Sequence, residues 1–323
     1  MTEKAYTYGV ARIRAKETGL LSDGDIERLM ACENYEAALL YLREKGWGNS
    51  SMQEEEKDIP ATEMTKTWQE VKGLTEDKSV FSVLTIPKEY HNLKAAIKQV
   101  CTGDDVKGVY YEEMEFSPKE LCEMVKKREF LKLPDKMAKA AEEAIEALLQ
   151  TQDGQLCDII IDRAALEEIK DVGGKSQSAF IRAYAKEVVM VANIRIAVRC
   201  AKAGKRKSFI ERAMVNCEQV NVSSLADSAE KGVDNVCEYL KSVGLEEAAE
   251  AVYVSASAFE RWCDNRIMDM IKSQKYNSFS VGPILAYVLA RENEIRTVRI
   301  ILTGKSNNLS NDFIRERIRK MYV

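Results

Sequence analysis

The C-terminal stretch Thr297–Val323 reads TVRIILTGKSNNLSNDFIRERIRKMYV and contains an apolar-periodic helix, a break rich in glycine and asparagine, and a second helix. The same pattern occurs at Asn193–Val215, as NIRIAVRCAKAGKRKSFIERAMV. When the two stretches are laid start to start without a gap, the Phe-Ile pair at residues 209–210 falls on the one at residues 313–314. This match predicts that the chain is built from internal repeats.

A third copy, NLKAAIKQVCTG, begins at Asn92. Apolar residues recur one, four, five and eight positions after the start of each copy, as they do on one face of a helix, and only Lys305 interrupts that face. Eleven positions after each start stands a residue that tolerates the left-handed conformation in which helices often end. These residues are Gly103, Gly204 and Asn308.

The three copies begin at residues 92, 193 and 297, so the chain repeats about every hundred residues. The composition, with 46% hydrophobic and 31% charged residues but only 5 Pro and 16 Gly, is typical of a helix-rich protein. We therefore predict an all-α fold of three similar helical domains, which would form a funnel if an approximate three-fold axis relates them. The predicted units are residues 1–115, 116–217 and 218–323.

Bulk charge and cysteine spacing argue against several classes of protein. The 48 basic and 52 acidic residues give a net charge of -4, which is not that of a protein that coats nucleic acid. The eight cysteines include no CxxC pair of the kind found in zinc and redox sites. No segment approaches the roughly 18 uninterrupted apolar residues that cross a bilayer, so we expect no direct membrane insertion.

Motifs for catalysis and cofactor binding are weak. His91 is the single histidine of the chain, and one histidine does not make a histidine-based metal or catalytic site, so we interpret it as a structural or surface residue. Asp104-Asp105 lacks the further acidic residue of a metal–diphosphate motif. The Gly173-Gly174 pair is expected to be a loop and does not fit a nucleotide-binding pattern.

The triplet Gly304-Lys305-Ser306 resembles the end of a phosphate-binding loop. The first glycine of that loop would have to stand five residues before Gly304, where the chain has Arg299, so the triplet is interpreted as a helix end. No catalytic, cofactor-binding or metal site is predicted.

A basic residue stands two positions after each repeat start, as Lys94, Arg195 and Arg299. Arg195 and Arg299 could pair with Asp162 and Asp264, which precede their repeats by similar distances, and so fix how the helices of a unit meet. Alternatively, they face a cavity and contact a partner, or they are simply exposed. These five residues are the candidate site residues.

Three stretches resemble the C subunit of prokaryotic V/A-type ATPases, the counterpart of the eukaryotic d subunit. They are YTYGVARIRAKETGLL from Tyr6, ANIRIAVRCAKAG from Ala192 and ENEIRTVRIILTGKSNNLSNDFIRERIRKMYV from Glu292, and the resemblance extends over the whole chain. It implies an all-helical funnel of three similar domains without enzymatic activity or cofactor. The implied partners are the central-stalk subunits of the soluble ATPase sector and the membrane rotor ring, on whose cytoplasmic side such a protein lies.

In that family the protein turns with the rotor and couples the stalk to the ring during ATP-linked ion transport. The resemblance does not distinguish protons from sodium ions, or a pump from a synthase. One alternative is a general helical scaffold for unrelated cytosolic partners, although such repeats are normally about 33 to 47 residues long. Another is an all-α enzyme of the prenyl-synthase type, which would need acidic motifs that the chain lacks.

Overall fold

The computed structural model describes residues 6–48, 58–103, 108–112 and 114–323, and every regular element in these ranges is helical. The predicted all-α class is therefore confirmed. Two short 3-10 helices, Lys78–Phe81 and Ser273–Tyr276, accompany the α-helices. In chain order the α-helices are α1 (Thr7–Glu17), α2 (Asp23–Ala31), α3 (Tyr35–Glu44), α4 (Ile59–Lys72), α5 (Ser82–Thr102), α6 (Pro118–Lys127), α7 (Asp135–Thr151), α8 (Gly154–Lys175), α9 (Ala179–Lys202), α10 (Lys207–Ala213), α11 (Val222–Lys231), α12 (Val233–Ser242), α13 (Glu246–Val254), α14 (Ala256–Lys272), α15 (Gly282–Ser306) and α16 (Asn311–Arg315).

The chain divides into two compact units. One combines the two ends of the chain, Met1–Lys78 and Glu246–Val323, and is called the terminal unit here. The other is the continuous segment Ser79–Leu245, called the central unit. The three repeat units predicted from the sequence, with boundaries after residues 115 and 217, stay a prediction.

The terminal unit is organised around α15, most of whose side chains are buried. This helix packs against α1, α2, α3, α4, α14 and α16. Its fully buried Val298 and Ile301 lie in one apolar cluster with Leu29 of α2 and Leu42 of α3. Each such side chain contributes about 1.5–3 kcal/mol on burial, so the N-terminal helices depend on α15 for their core.

The central unit is built on the three neighbouring helices α5, α8 and α9, of which α8 contacts both others. Leu93 and Ile97 of α5 are fully buried in a cluster with Ile161 of α8 and Ala144 of α7. Helix α9 also contacts α10, α11 and α12. The core thus lies between long helices whose apolar stripes follow the repeat pattern.

The three sequence repeats occupy the C-terminal halves of α5, α9 and α15. The residue eleven positions after each start has a positive φ, 79° at Gly103, 61° at Gly204 and 52° at Asn308. Glycine and asparagine tolerate this conformation at small cost, so the chain leaves each helix in the same way. The helix ends predicted from the repeat are confirmed.

The expectation of a loop at Gly173-Gly174 is wrong, because both residues belong to the last turns of α8. A Cβ atom built on Gly173 would lie 2.1 Å from the Cβ atom of Ala185 in α9, whereas one on Gly174 meets nothing within 4 Å. Gly173 is therefore required for close packing of two helices and not for a turn.

Candidate functional site

The predicted site residues are divided between the two units. In the central unit, Lys94 donates to Asp162 with an Nζ–Oδ1 distance of 2.6 Å. Lys94, the basic residue of the first repeat, thus pairs with the carboxylate that was expected to pair with Arg195 of the second repeat. Arg195 lies half-buried on α9, and its pairing with Asp162 stays a prediction.

In the terminal unit, the predicted pair of Arg299 with Asp264 is wrong. The exposed Arg299 lies 3.3 Å from Asp58, whereas Asp264 is 2.9 Å from both Arg296 and Arg319. Arg296 stands one helical turn before Arg299 on the same side of α15, and it is the earlier arginine that reaches Asp264 of α14. Burial raises the pKa of Asp264, but Arg296 and Arg319 outweigh it and hold that pKa below its ordinary value.

A buried network of charges in the terminal unit was not predicted from the sequence. Arg291 of α15 donates to Glu294 on the same helix and to Glu63 of α4, each at 2.5 Å. All three residues are buried, and Glu294 is only 1% exposed. Because a buried charge without a partner is strongly destabilising, these residues depend on one another.

The network also binds backbone groups in the connections between the N-terminal helices. Oε1 of Glu294 accepts a hydrogen bond from the amide of Leu21 at 2.6 Å. Oε1 of Glu63 accepts from the amide of Gly48 at 3.0 Å and from Lys66 at 2.8 Å. Three separate chain segments are therefore tied to α15.

Further contacts set the charge state of the network. The guanidinium of Arg291 lies 5.0 Å from the centre of the Trp47 ring, an arrangement that favours the cation. Burial raises the pKa of Glu294 to about 7, although Arg291 and the Leu21 amide oppose the rise. A sequence signal existed, since Arg291 and Glu294 follow the apolar run at residues 284–290 of the helix, but charges at this spacing are more often a solvated face.

The first residue of each repeat has a structural role that the spacing alone did not reveal. Asn92 donates to the carbonyl of Tyr111 and accepts from its amide, both at 2.8 Å. Asn193 makes the same reciprocal pair with Val215, at 2.7 and 3.0 Å. We call this arrangement the asparagine clasp; it fastens the chain that follows each repeat helix back onto that helix.

The third repeat begins with Thr297, which is also fully buried. There the contact to the returning chain comes from one turn earlier, where Asn293 donates to the carbonyl of Lys320 at 3.0 Å. In all three repeats, a side chain of the repeat helix thus holds the segment that returns to that helix. In the third repeat this side chain is Asn293 and not the first residue of the repeat.

A cavity of about 290 Å³ lies in the central unit beside α7, α8 and α10. Arg212 of α10 lies 2.9 Å from Glu143 of α7, and Arg163 lies 2.8 Å from Glu167 on the same helix, α8. The lining as a whole has four cations, Lys136, Lys139, Arg163 and Arg212, and two carboxylates, and Lys136 pairs with Asp171 outside it.

No group of histidine, cysteine and acidic residues suited to a metal ion occurs in the described part of the chain. His91 makes a 3.0 Å hydrogen bond between Nε2 and the Val109 carbonyl and lies edge-on to the Tyr111 ring, in keeping with a structural role. Asp104 and Asp105 lie outside the described residues. Among the described helices, none combines the length and apolarity needed to cross a membrane.

Comparisons with known proteins point to one family. The family model described as ATP synthase (C/AC39) subunit matches residues 9–317. The chain is 20% identical over 317 residues to the C subunit of the V-type sodium ATPase of Enterococcus hirae, covering 96% of this chain and 97% of that protein. It is 23% identical over 346 residues to the C subunit of the A-type ATP synthase of Methanocaldococcus jannaschii, covering 96% of this chain and 85% of that protein.

Proposed function

The chain belongs to the ATP synthase (C/AC39) subunit family, and we propose that it acts in the rotor, coupling the soluble central stalk to the membrane rotor ring. This family supplies a non-catalytic subunit of the ATPase, so the chain is not the catalytic component of such a complex. Its partners are other subunits of that complex. The observation that carries the proposal is the match over residues 9–317, which includes both compact units.

The packing of the chain supports such a role. A rotor adaptor has to transmit torque without deforming, and close-packed long helices resist deformation. In the terminal unit, the Arg291 network and the apolar cluster around α15 tie the N-terminal helices to the C-terminal ones. In the central unit, the asparagine clasps hold each returning segment.

The proposed partners are the central-stalk subunits on one side and the rotor-ring subunits on the other, with the chain on the cytoplasmic face of the membrane. The candidate residues Lys94, Arg195 and Arg299 remain proposed contacts at most, since Lys94 and Arg299 already have partners within the chain. One relative is named as part of a sodium ATPase and the other as part of an ATP synthase. The coupling ion and the direction of the reaction are therefore left open in the proposal.

Affinity capture of the tagged full-length chain from detergent-extracted host membranes tests this function. Mass spectrometry should find the stalk, the ring and the catalytic subunits of one ATPase together, and the isolated chain should hydrolyse no ATP. A general scaffold would instead capture unrelated cytosolic proteins without ATPase subunits. That result would end the rotor assignment.

A further inference from the structure

The end of α9 carries a concentration of positive charge, which we call the basic corner and define as Lys202, Lys205 and Arg206. Lys202 and Arg206 are exposed, and neither forms an ion pair with any residue in the described ranges. Lys205 donates to Oε1 of Gln155 at 2.7 Å and lies 4.7 Å from the centre of the Phe209 ring. The neighbouring Lys207 is neutralised by Asp227 at 2.8 Å. Within the described residues, the cations without an ion pair at this helix end therefore include Lys202 and Arg206 but not Lys207.

The repeat provides an internal comparison for these cations. At the positions of Lys202, Lys205 and Arg206, the third copy has no cation; its residues are Ser306, Leu309 and Ser310. The first copy has none either; its residues are Cys101, Asp104 and Asp105. All three copies nevertheless leave their helix through the same left-handed residue. The helix end therefore forms without the cations, and the fold does not account for them.

A structural use is visible for a lysine near the end of α15, which stands one repeat position before that of Lys202. Lys305 donates to the carbonyl of Met30 at 2.9 Å and also to that of Cys32, so it caps α2. Lys202 and Arg206 show no comparable contact among the described residues. Two exposed cations held at a rigid helix end are suited to long-range attraction of an acidic group.

We propose that the basic corner binds an acidic segment of a partner protein. The proposal rests on the rotor function in that the partner would be another subunit of the same ATPase. Three cations at one turn are too few to follow a nucleic-acid backbone, which binds through many phosphate contacts. An anionic membrane surface would favour an exposed apolar side chain for insertion, and here the aromatic ring at the corner, Phe209, is half-buried beneath Lys205.

Charge reversal at the two unpaired positions tests the site. The variant K202E/R206E should retain the fold, because both side chains are exposed and without ion-pair partners in the described chain. The matched control K119E/K139E makes the same change in net charge on α6 and α7, also at exposed positions of the central unit. Circular dichroism and thermal unfolding of all three proteins establish that each is folded.

The probe is a fluorescent decaglutamate peptide, titrated with full-length protein at low and at physiological ionic strength. We expect about tenfold weaker binding to K202E/R206E than to the unaltered protein, binding to the control within about twofold, and a loss of the difference as salt screens the charges. Equal affinities of the unaltered protein and K202E/R206E would overturn the proposal. So would an equal loss in the control, since net charge alone would then explain it.

Two further measurements separate the possible partners and the two proposals. Vesicles of phosphatidylglycerol and phosphatidylcholine that bind through the corner, without peptide binding, would replace the acidic protein segment by a lipid surface and overturn the assignment. Capture from host membranes is then repeated with K202E/R206E. Loss of the other ATPase subunits relative to the control supports the corner as an interface within the complex. If K202E/R206E still captures all the ATPase subunits, the corner is not an interface in the complex, but the rotor function stands. If the unaltered protein captures no ATPase subunit, the rotor function alone is rejected.

Discussion

At the scale of single residues, the Arg291 network shows two opposing electrostatic effects. Pairing with Arg291 favours the charged form of Glu294, whereas the loss of water around an almost fully buried carboxylate favours its neutral form. Burial has the larger effect, and it raises the pKa of Glu294 to about 7. This carboxylate therefore takes up a proton in the folded protein near neutral pH, where an exposed glutamate stays ionised.

The variant E294Q tests this charge state. A raised folded-state pKa means that the contribution of Glu294 to stability is fully present below its ordinary pKa of 4.5 and is lost as pH rises through about 7. The unfolding free energy of the unaltered protein minus that of E294Q should thus fall, by up to about 3 kcal/mol, as pH rises over this window. Chemical denaturation at a series of pH values measures it.

The exposed Glu250 of α13 supplies the control, and E250Q should change the unfolding free energy by less than about 0.5 kcal/mol. If pairing with Arg291 were stronger than burial, the pKa of Glu294 would lie below 4.5 in the folded state. The difference between the unaltered protein and E294Q would then grow with pH. That sign would contradict the interpretation.

The asparagine clasp leads to a second prediction at this scale. N193A removes both side-chain partners of Val215 and leaves its buried amide and carbonyl without hydrogen bonds. Each unsatisfied buried group costs about 1–3 kcal/mol, so we expect a loss of roughly 2–5 kcal/mol in unfolding free energy. The exposed neighbour Asn216 offers a control, since N216A should change it by less than about 0.5 kcal/mol. Similar effects of both substitutions would show that the clasp contributes little.

At the scale of helices, Gly173 and Gly174 are adjacent in α8 but differ in their surroundings. G173A places a methyl group against Ala185 of α9, where the separation would be 2.1 Å, and should cost about 1–3 kcal/mol through overpacking. G174A points into open space and should gain about 0.5–1 kcal/mol, because alanine is the better helix former. Urea denaturation of both variants checks the opposite signs. A stabilising G173A would contradict close contact of these helices.

The same pair of glycines shows where sequence reasoning reached its limit. Apolar spacing and the residues that tolerate a left-handed conformation predicted the three repeat helices and their ends, because both signals are local. A pair of glycines also predicts a break in a helix when only neighbouring residues are considered. The contact of Gly173 with Ala185, however, is decided by tertiary packing. The ion-pair partners of Asp264 and Arg291 could not be predicted from the sequence for the same reason. They depend on which face of α15 meets α14 and α4.

At the scale of the whole chain, the two compact units differ in whether one segment of the chain or two segments form them. The terminal unit requires both chain ends, because the Arg291 network joins Glu63 of α4 to Glu294 of α15. The central unit is formed by one uninterrupted segment, Ser79–Leu245, with its own buried cluster. We predict that a fragment of residues 79–245 folds alone and unfolds cooperatively, and that residues 1–78 alone do not. Circular dichroism during urea denaturation measures both.

A shorter fragment of residues 116–217 corresponds to the second repeat unit and sharpens this prediction. It lacks α5, whose Leu93 and Ile97 are fully buried against α8 and its neighbours. Removing large apolar side chains from a core costs about 2–5 kcal/mol each, so this fragment should be far less stable than residues 79–245, or unfolded. If it unfolded cooperatively with equal stability, the repeat would be the folding unit. The sequence repeat would then describe independent domains and not one shared core, because each copy would have to bury its apolar stripe without the preceding helix.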